Sequence, residues 1–229
     1  MLAPKSFAFL FIGLCTSHGQ TTQTIVWGTE PGSGSVITSN GDALSLSSHS
    51  IELGSFGGFI PTADNASEWV ANWEVFDAVT PETPDGDGFA NEGTPDAFFG
   101  GVATLDGDGR SSSVDALSTS SFGGEQGYVF IRNSDTPDGE AEWLLYTSGS
   151  WVFPGAGFSE ELLWFNPDVD EVVFGAVNGG AVVGEGIFTD SSKDFSVRTH
   201  SFLTVPEPSA LGLLGLGLLG MSYRRKRGA

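Results

Sequence analysis

One cysteine, two methionines and three histidines are all that this 229-residue chain holds of the side chains most used for sulfur and imidazole chemistry. Cys15 lies near the start of the chain and leaves with any cleaved leader. The remaining body then has no disulfide and no thiol nucleophile, so burial alone must hold it together. His18 leaves with the same leader; His49 and His200 are assigned surface or edge-strand places. Cations are scarce as well: nine Lys and Arg stand against 29 Asp and Glu. Five of the nine sit at the ends, as Lys5, Arg224, Arg225, Lys226 and Arg227. Between residues 20 and 203 only Arg110, Arg132, Lys193 and Arg198 face 28 carboxylates, a net charge of −24. Such a surface repels phosphate backbones and anionic lipid, which excludes nucleic acid as a partner. It attracts divalent cations and basic surfaces instead.

Catalytic signatures are missing too. There is no Gly-x-Ser-x-Gly elbow, no His-Glu-x-x-His pair and no phosphate-cradling loop with its lysine. A glycoside hydrolase needs only two suitably separated carboxylates, but the abundance of acids does not select a pair. The body is therefore expected to be non-catalytic, with no catalytic residue assigned and a carboxylate-based glycosidase kept as an alternative. Asn65-Ala66-Ser67 is formally a glycosylation sequon, and its place at an expected helix start makes it a chance match.

What the chain does have is concentrated at its ends. Lys5, an apolar stretch over residues 7–14, and the small residues around Ser17-His18-Gly19 have the three-part pattern of a secretory signal peptide. Residues 1–19 are read as that leader, cut by signal peptidase after Gly19. Leu14 stands where a lipoprotein would need a small residue before its cysteine, which argues against acylation of Cys15.

At the other end, Pro206-Glu207-Pro208 is a stiff extended tripeptide, because each proline fixes its φ and biases its predecessor away from helix. Residues 209–223 follow with six leucines, four glycines and no charge, and Arg224, Arg225, Lys226 and Arg227 come next. A short apolar segment halted by four cations is a stop-transfer pattern. Fifteen residues fall below the roughly 17–25 of a comfortable span. The segment therefore suits a single hydrophobic helix that holds the chain in a membrane for a time.

In order and spacing this stretch resembles the PEP-CTERM sorting signal of Gram-negative bacteria. The resemblance implies a tail, residues 204–229, removed by the membrane enzyme exosortase. It also implies that the protein crosses the inner membrane, is anchored transiently, and ends at the cell surface or outside the cell. Proteins of this kind are associated with exopolysaccharide, so an extracellular polysaccharide is a further implied partner.

Between the two ends, residues 20–203 form one acidic body. Thirty-three glycines and eleven prolines favour a turn-rich β architecture. Strands are expected over residues 24–29, 43–53, 127–132, 142–147, 171–177, 181–183 and 195–205, from alternation and β-branched or aromatic content. Residues 98–105 and 151–153 are short apolar pieces, and residues 160–165 read equally as a helical turn or a strand. Asn178-Gly179-Gly180 is hairpin-turn chemistry. One amphipathic helix is expected over residues 61–79. Asp64 or Asn65 would cap it, and Trp69, Val70, Trp73 and Phe76 would form its apolar face. The fold class is mainly β: a sandwich-like antiparallel body of about eight to ten strands with that helix packed on it.

Asp85-Gly86-Asp87-Gly88 and Asp106-Gly107-Asp108-Gly109 are turn sequences whose carboxylates also suit calcium. Neither is an EF-hand loop, since positions five and six hold Phe89 and Ala90 in one and Arg110 and Ser111 in the other. Asp85, Asp87, Asp106 and Asp108 are the candidate ligands of a looser calcium site; no other cofactor is implied. Two functional classes result. One is a structural cell-surface or matrix protein. The other is a carbohydrate-binding module, with calcium ordering its loops and Trp143, Trp151 and Trp164 on one solvent face. Trp69 and Trp73 would serve the same purpose if they were exposed. Each indole has core packing as its alternative, because burying such a ring stabilises by several kcal/mol at about 25 cal/mol per Å².

Overall fold

The computed structural model describes residues 22–29, 36–81, 88–90, 98–114, 116, 120–155, 160–177, 180–187 and 197–202. The described residues are mainly β, with one short α-helix. Its strands are β1 (Gln23–Gly28), β2 (Val36–Ile37), β3 (Ser50–Ser55), β4 (Glu74–Ala78), β5 (Gly88–Ala90), β6 (Phe98–Leu105) and β7 (Gln126–Arg132). They continue with β8 (Glu142–Val152), β9 (Leu162–Phe165), β10 (Glu171–Val177), β11 (Gly180–Ile187), β12 (Val197–Arg198) and β13 (His200–Ser201). Among the described residues the count exceeds the expected eight to ten, in part because the one strand expected over residues 195–205 is two short ones, β12 and β13, on either side of Thr199.

These strands form two open sheets. The smaller runs β5-β6-β1-β9 and the larger β2-β12-β10-β8-β7-β3-β4, with β11 added to β10 and β13 to β8. The expectation of a wholly antiparallel body is corrected at two places: β1 runs parallel to β9, and β2 parallel to β12. Ile25, Trp27, Phe99 and Trp164 of the smaller sheet share one core cluster with Ile51, Leu53, Val129, Leu144 and Val172 of the larger. The two sheets thus face each other across that core.

The larger sheet is buried on its other face as well. Phe130, Trp143, Leu145 and Phe174 point away from the first core into a second cluster, beneath Trp69 and Ala66. Burial on both faces explains why β7 and β8 read as nearly continuous apolar runs rather than as alternation. β8 also takes in Trp151 and Val152 of the separate piece expected at residues 151–153. Between Thr147 and Val152 its register against β7 shifts, and the Gln126 amide donates to Thr147 Oγ1 and to the carbonyls of Ser148 and Trp151 at 2.8–2.9 Å.

The helical segment packs on the sheet as expected but is much shorter. A 3₁₀ turn (Ala63–Glu68) leads into α1 (Trp69–Asn72), and Trp73 is already extended, with ψ of 127°. Phe76, expected to continue the helical stripe, belongs instead to β4, which pairs with β3. The reason is non-local: β3 offers a free edge, and a four-residue helix has too few hydrogen bonds to compete with it. Thr62, rather than Asp64 or Asn65, occupies the N-cap, and Asn65 Oδ1 accepts from the Thr62 N–H at 2.8 Å.

Other expectations stand or are refined. Strands Gln23–Gly28, Gln126–Arg132 and Glu171–Val177 lie within a residue of the expected 24–29, 127–132 and 171–177. Residues 160–165 resolve into β9 followed by a 3₁₀ turn (Asn166–Asp168) with Pro167 in its first positions. β10 and β11 pair antiparallel, with Val177 opposite Gly180. The strand expected from residue 43 begins only at Ser50, because residues 45–49 turn on the Ser45 carbonyl. Leu44, Ile51 and Leu53 nonetheless reach the core.

Candidate functional site

The indoles proposed as a carbohydrate platform are interior. Trp143, Trp151 and Trp164 are all buried. Trp151 and Trp164 stack at 6.0 Å and 14° inside the core shared by the two sheets. Trp143 lies on the opposite face of the larger sheet, stacked on Trp69 at 5.8 Å, with its Nε1 donating to the Ser134 carbonyl. Trp69 is fully buried too, and its Nε1 donates to Asn65 Oδ1. That same Asn65 amide donates to the Ile60 carbonyl, so the sequon side chain is committed to holding its turn. Core packing, the alternative kept for each ring, is what the fold uses for these four, while Trp73 is half-buried against the second cluster.

Of the four candidate calcium ligands, Asp85 and Asp87 fall outside the described residues. Asp106 and Asp108 share one turn after β6. The Asp106 carboxylate accepts from the N–H groups of Asp108 and Arg110 at 2.9 and 2.8 Å, which is an Asx-type turn. Asp108 is exposed. Among the described residues no three His, Cys, Asp or Glu are grouped to hold a metal ion.

Three carboxylates that the sequence did not single out are buried or nearly so. Glu52 pairs with Arg132 at 2.6 Å and accepts from Trp73 Nε1 at 2.7 Å, while Arg132 Nε donates to Asp135. Asp77 accepts from Trp27 and Ser113. Glu142 accepts from Ser39 Oγ at 2.6 Å and Thr199 Oγ1 at 2.9 Å, with His49 Nε2 at 3.9 Å. Burial pushes the Glu142 carboxyl up, but the hydrogen bonds from Ser39 and Thr199 outweigh it and leave the group below its usual range. His49 is buried beside it, contrary to the surface or edge place expected. Burial pushes its imidazole pKa down, and Glu142 opposes that only in part. The available signal was a charge set between core residues, as in Ile51-Glu52-Leu53.

His49 and Arg132 also line a shallow open groove of about 710 Å³, with Ser48, Thr80, Asn133 and Asp135. Its charged groups are already engaged with one another, and none of its lining side chains is a tryptophan.

The last described residues, 197–202, lie just ahead of the expected sorting segment. β12 pairs with β10 and β2, β13 pairs with β8, and the buried Thr199 sits between them on Glu142. His200, expected at an edge strand, lies on β13 opposite Trp143. Phe202 stacks on Phe174 at 4.4 Å and 13°, and its N–H donates to the Ala141 carbonyl. The expected leader over residues 1–19 lies outside the described residues. So do Pro206, Glu207, Pro208, the apolar segment, and Arg224, Arg225, Lys226 and Arg227. Among the described residues no helix is long and apolar enough to cross a membrane.

No curated protein and no solved structure matches the chain. A family model does match its C-terminus: residues 204–227 fit the PEP-CTERM protein-sorting motif, and the chain carries that motif directly after the last strand of its β body.

Proposed function

We propose that this protein is an exported, non-catalytic component of the cell surface or extracellular matrix, tethered briefly to the inner membrane and released by an exosortase-type enzyme. The observation that carries the reading is the sorting motif at residues 204–227. That motif suggests export, membrane anchoring and exosortase processing. The body suits such a destination. It carries a net charge of −24 between residues 20 and 203 and has no cysteine after Cys15. Its large aromatic rings are spent on two cores. The carboxylates of Glu52, Asp77 and Glu142 accept from fixed partners within the fold, which favours a structural role for them over acid–base chemistry.

Signal peptidase at the N-terminus and the exosortase-type enzyme at the C-terminus are the processing partners, with extracellular polysaccharide as the surrounding medium. Mass spectrometry of the extracellular form tests the reading. Termini near Gln20 and near Pro206 are expected. An intact tail ending in Arg224, Arg225, Lys226 and Arg227 on extracellular protein, or a permanently cytosolic protein, overturns it.

A further inference from the structure

The sorting motif begins two residues after Phe202, and Phe202 is not loose. Its ring stacks on Phe174 and meets Trp143 edge-on at 5.0 Å, while its N–H donates to Ala141. Just before it, β13 places His200 opposite Trp143 and Ser201 opposite Glu142. Thr199, fully buried, donates to Glu142 and takes the Ile37 carbonyl through its N–H. Only Leu203, Thr204 and Val205 separate this docked segment from Pro206. Three residues reach about 10 Å at full extension. An enzyme that grips a peptide as an extended strand engages several residues on either side of the bond it acts on. The residues it needs ahead of Pro206 are therefore the ones that the body holds.

Resting on the sorting reading above, we infer that Phe202 and β13 form a latch on tail removal. While they are docked, the exosortase-type enzyme is denied the chain ahead of the motif, and processing waits for their release. The latch opens without unfolding the body. β13 is two residues long and only partly buried, which puts it at the low end of local stability. The core shared by the two sheets contains none of its side chains.

Pulse–chase of the full-length precursor in cells that carry the processing enzyme tests this, following loss of the basic tail by mass. Phe202→Ala removes the stack and is expected to shorten the processing half-time by about three- to tenfold, the change in opening equilibrium that an aromatic pair is worth. A ten-residue Gly-Ser insertion between Phe202 and Leu203 leaves every body residue in place and is expected to accelerate processing as much or more. That second variant decides the matter if Phe202→Ala fails to fold. Unchanged or slower processing in the insertion variant, with the wild-type tail still removed, overturns the latch alone. A wild-type chain that never loses its tail refutes the sorting reading, and the latch falls with it.

Discussion

Trp27 and Asp77 join the two sheets: the indole Nε1 of β1 donates to the carboxylate Oδ2 of β4 at 2.7 Å, with both residues buried. Ser113 Oγ donates to the other oxygen. Gly101 completes the arrangement, since a Cβ there would lie 2.5 Å from the indole nitrogen and 2.6 Å from the carboxylate. Asp77→Ala strands the buried Trp27 indole donor and is expected to cost about 2–3 kcal/mol. Gly101→Ala forces the same bond apart and is expected to cost about 2 kcal/mol. The two share one interaction, so the double variant should lose clearly less than the sum. Urea unfolding of the three variants checks this; strict additivity would mean that the glycine serves some other contact.

Glu52 and Arg132 make a second, largely shielded pair, at 2.6 Å with each side chain about one-tenth exposed. Arg132→Met leaves the Glu52 charge with only the Trp73 indole and is expected to destabilise by about 3–5 kcal/mol. Adding Glu52→Leu removes the stranded charge and should recover most of that loss. Because solvent reaches the pair so little, raising salt to 1 M should change the wild-type contribution only slightly. Chemical denaturation at two salt concentrations distinguishes this from a surface ion pair, which salt would erase.

The sorting segment was legible because its determinants are contiguous: a proline-fixed tripeptide, an apolar run and four cations, each meaningful without the rest of the fold. The central strands were legible for a similar reason, since Tyr128 to Arg132 offers aromatic and β-branched side chains to both of its faces. The helix was misjudged where local and distant preferences disagree. Trp69, Val70, Trp73 and Phe76 satisfy a 3.6-residue period, but Val75 and Phe76 find β3 across a long sequence gap. Nothing local announces that Ile25 lies beside Leu162 in a parallel pair, or that His49 sits on Glu142. The indoles were recognised as large and scarce, yet which face of a strand meets solvent depends on whether a second layer covers it. Here a layer lies on each side of the larger sheet.

Acid should loosen the end of the body that carries the tail. Burial lowers the His49 pKa below its usual 6.5, so the unfolded chain takes up a proton there before the folded one does. Stability present above pH 6.5 is therefore lost as pH falls from that value towards the lowered folded pKa. Glu142 is held below its usual 4.5, and its contribution is lost in the same direction at lower pH. One such group changes unfolding free energy by at most about 1.4 kcal/mol per pH unit. His49→Gln should flatten the dependence of the urea midpoint between pH 7 and pH 5 and leave the steeper fall below pH 4.5. An unchanged slope in the upper range would show that another group titrates there.

β9 offers a contrast between adjacent residues. Leu163 is 55% exposed on the outer face of the smaller sheet, in register with Val26, which in turn faces the half-exposed Val102. Trp164, one residue later, points inward to Trp151 and to Phe153 at 5.0 Å. Leu163→Thr places a β-branched residue on the strand and should change stability by no more than about 0.5 kcal/mol. Trp164→Ala opens a cavity between the sheets and should cost about 4 kcal/mol. Thermal unfolding followed by near-ultraviolet circular dichroism reads both. A large loss for Leu163→Thr would mean that this face is covered in solution, because an exposed leucine on an open sheet has little burial to lose.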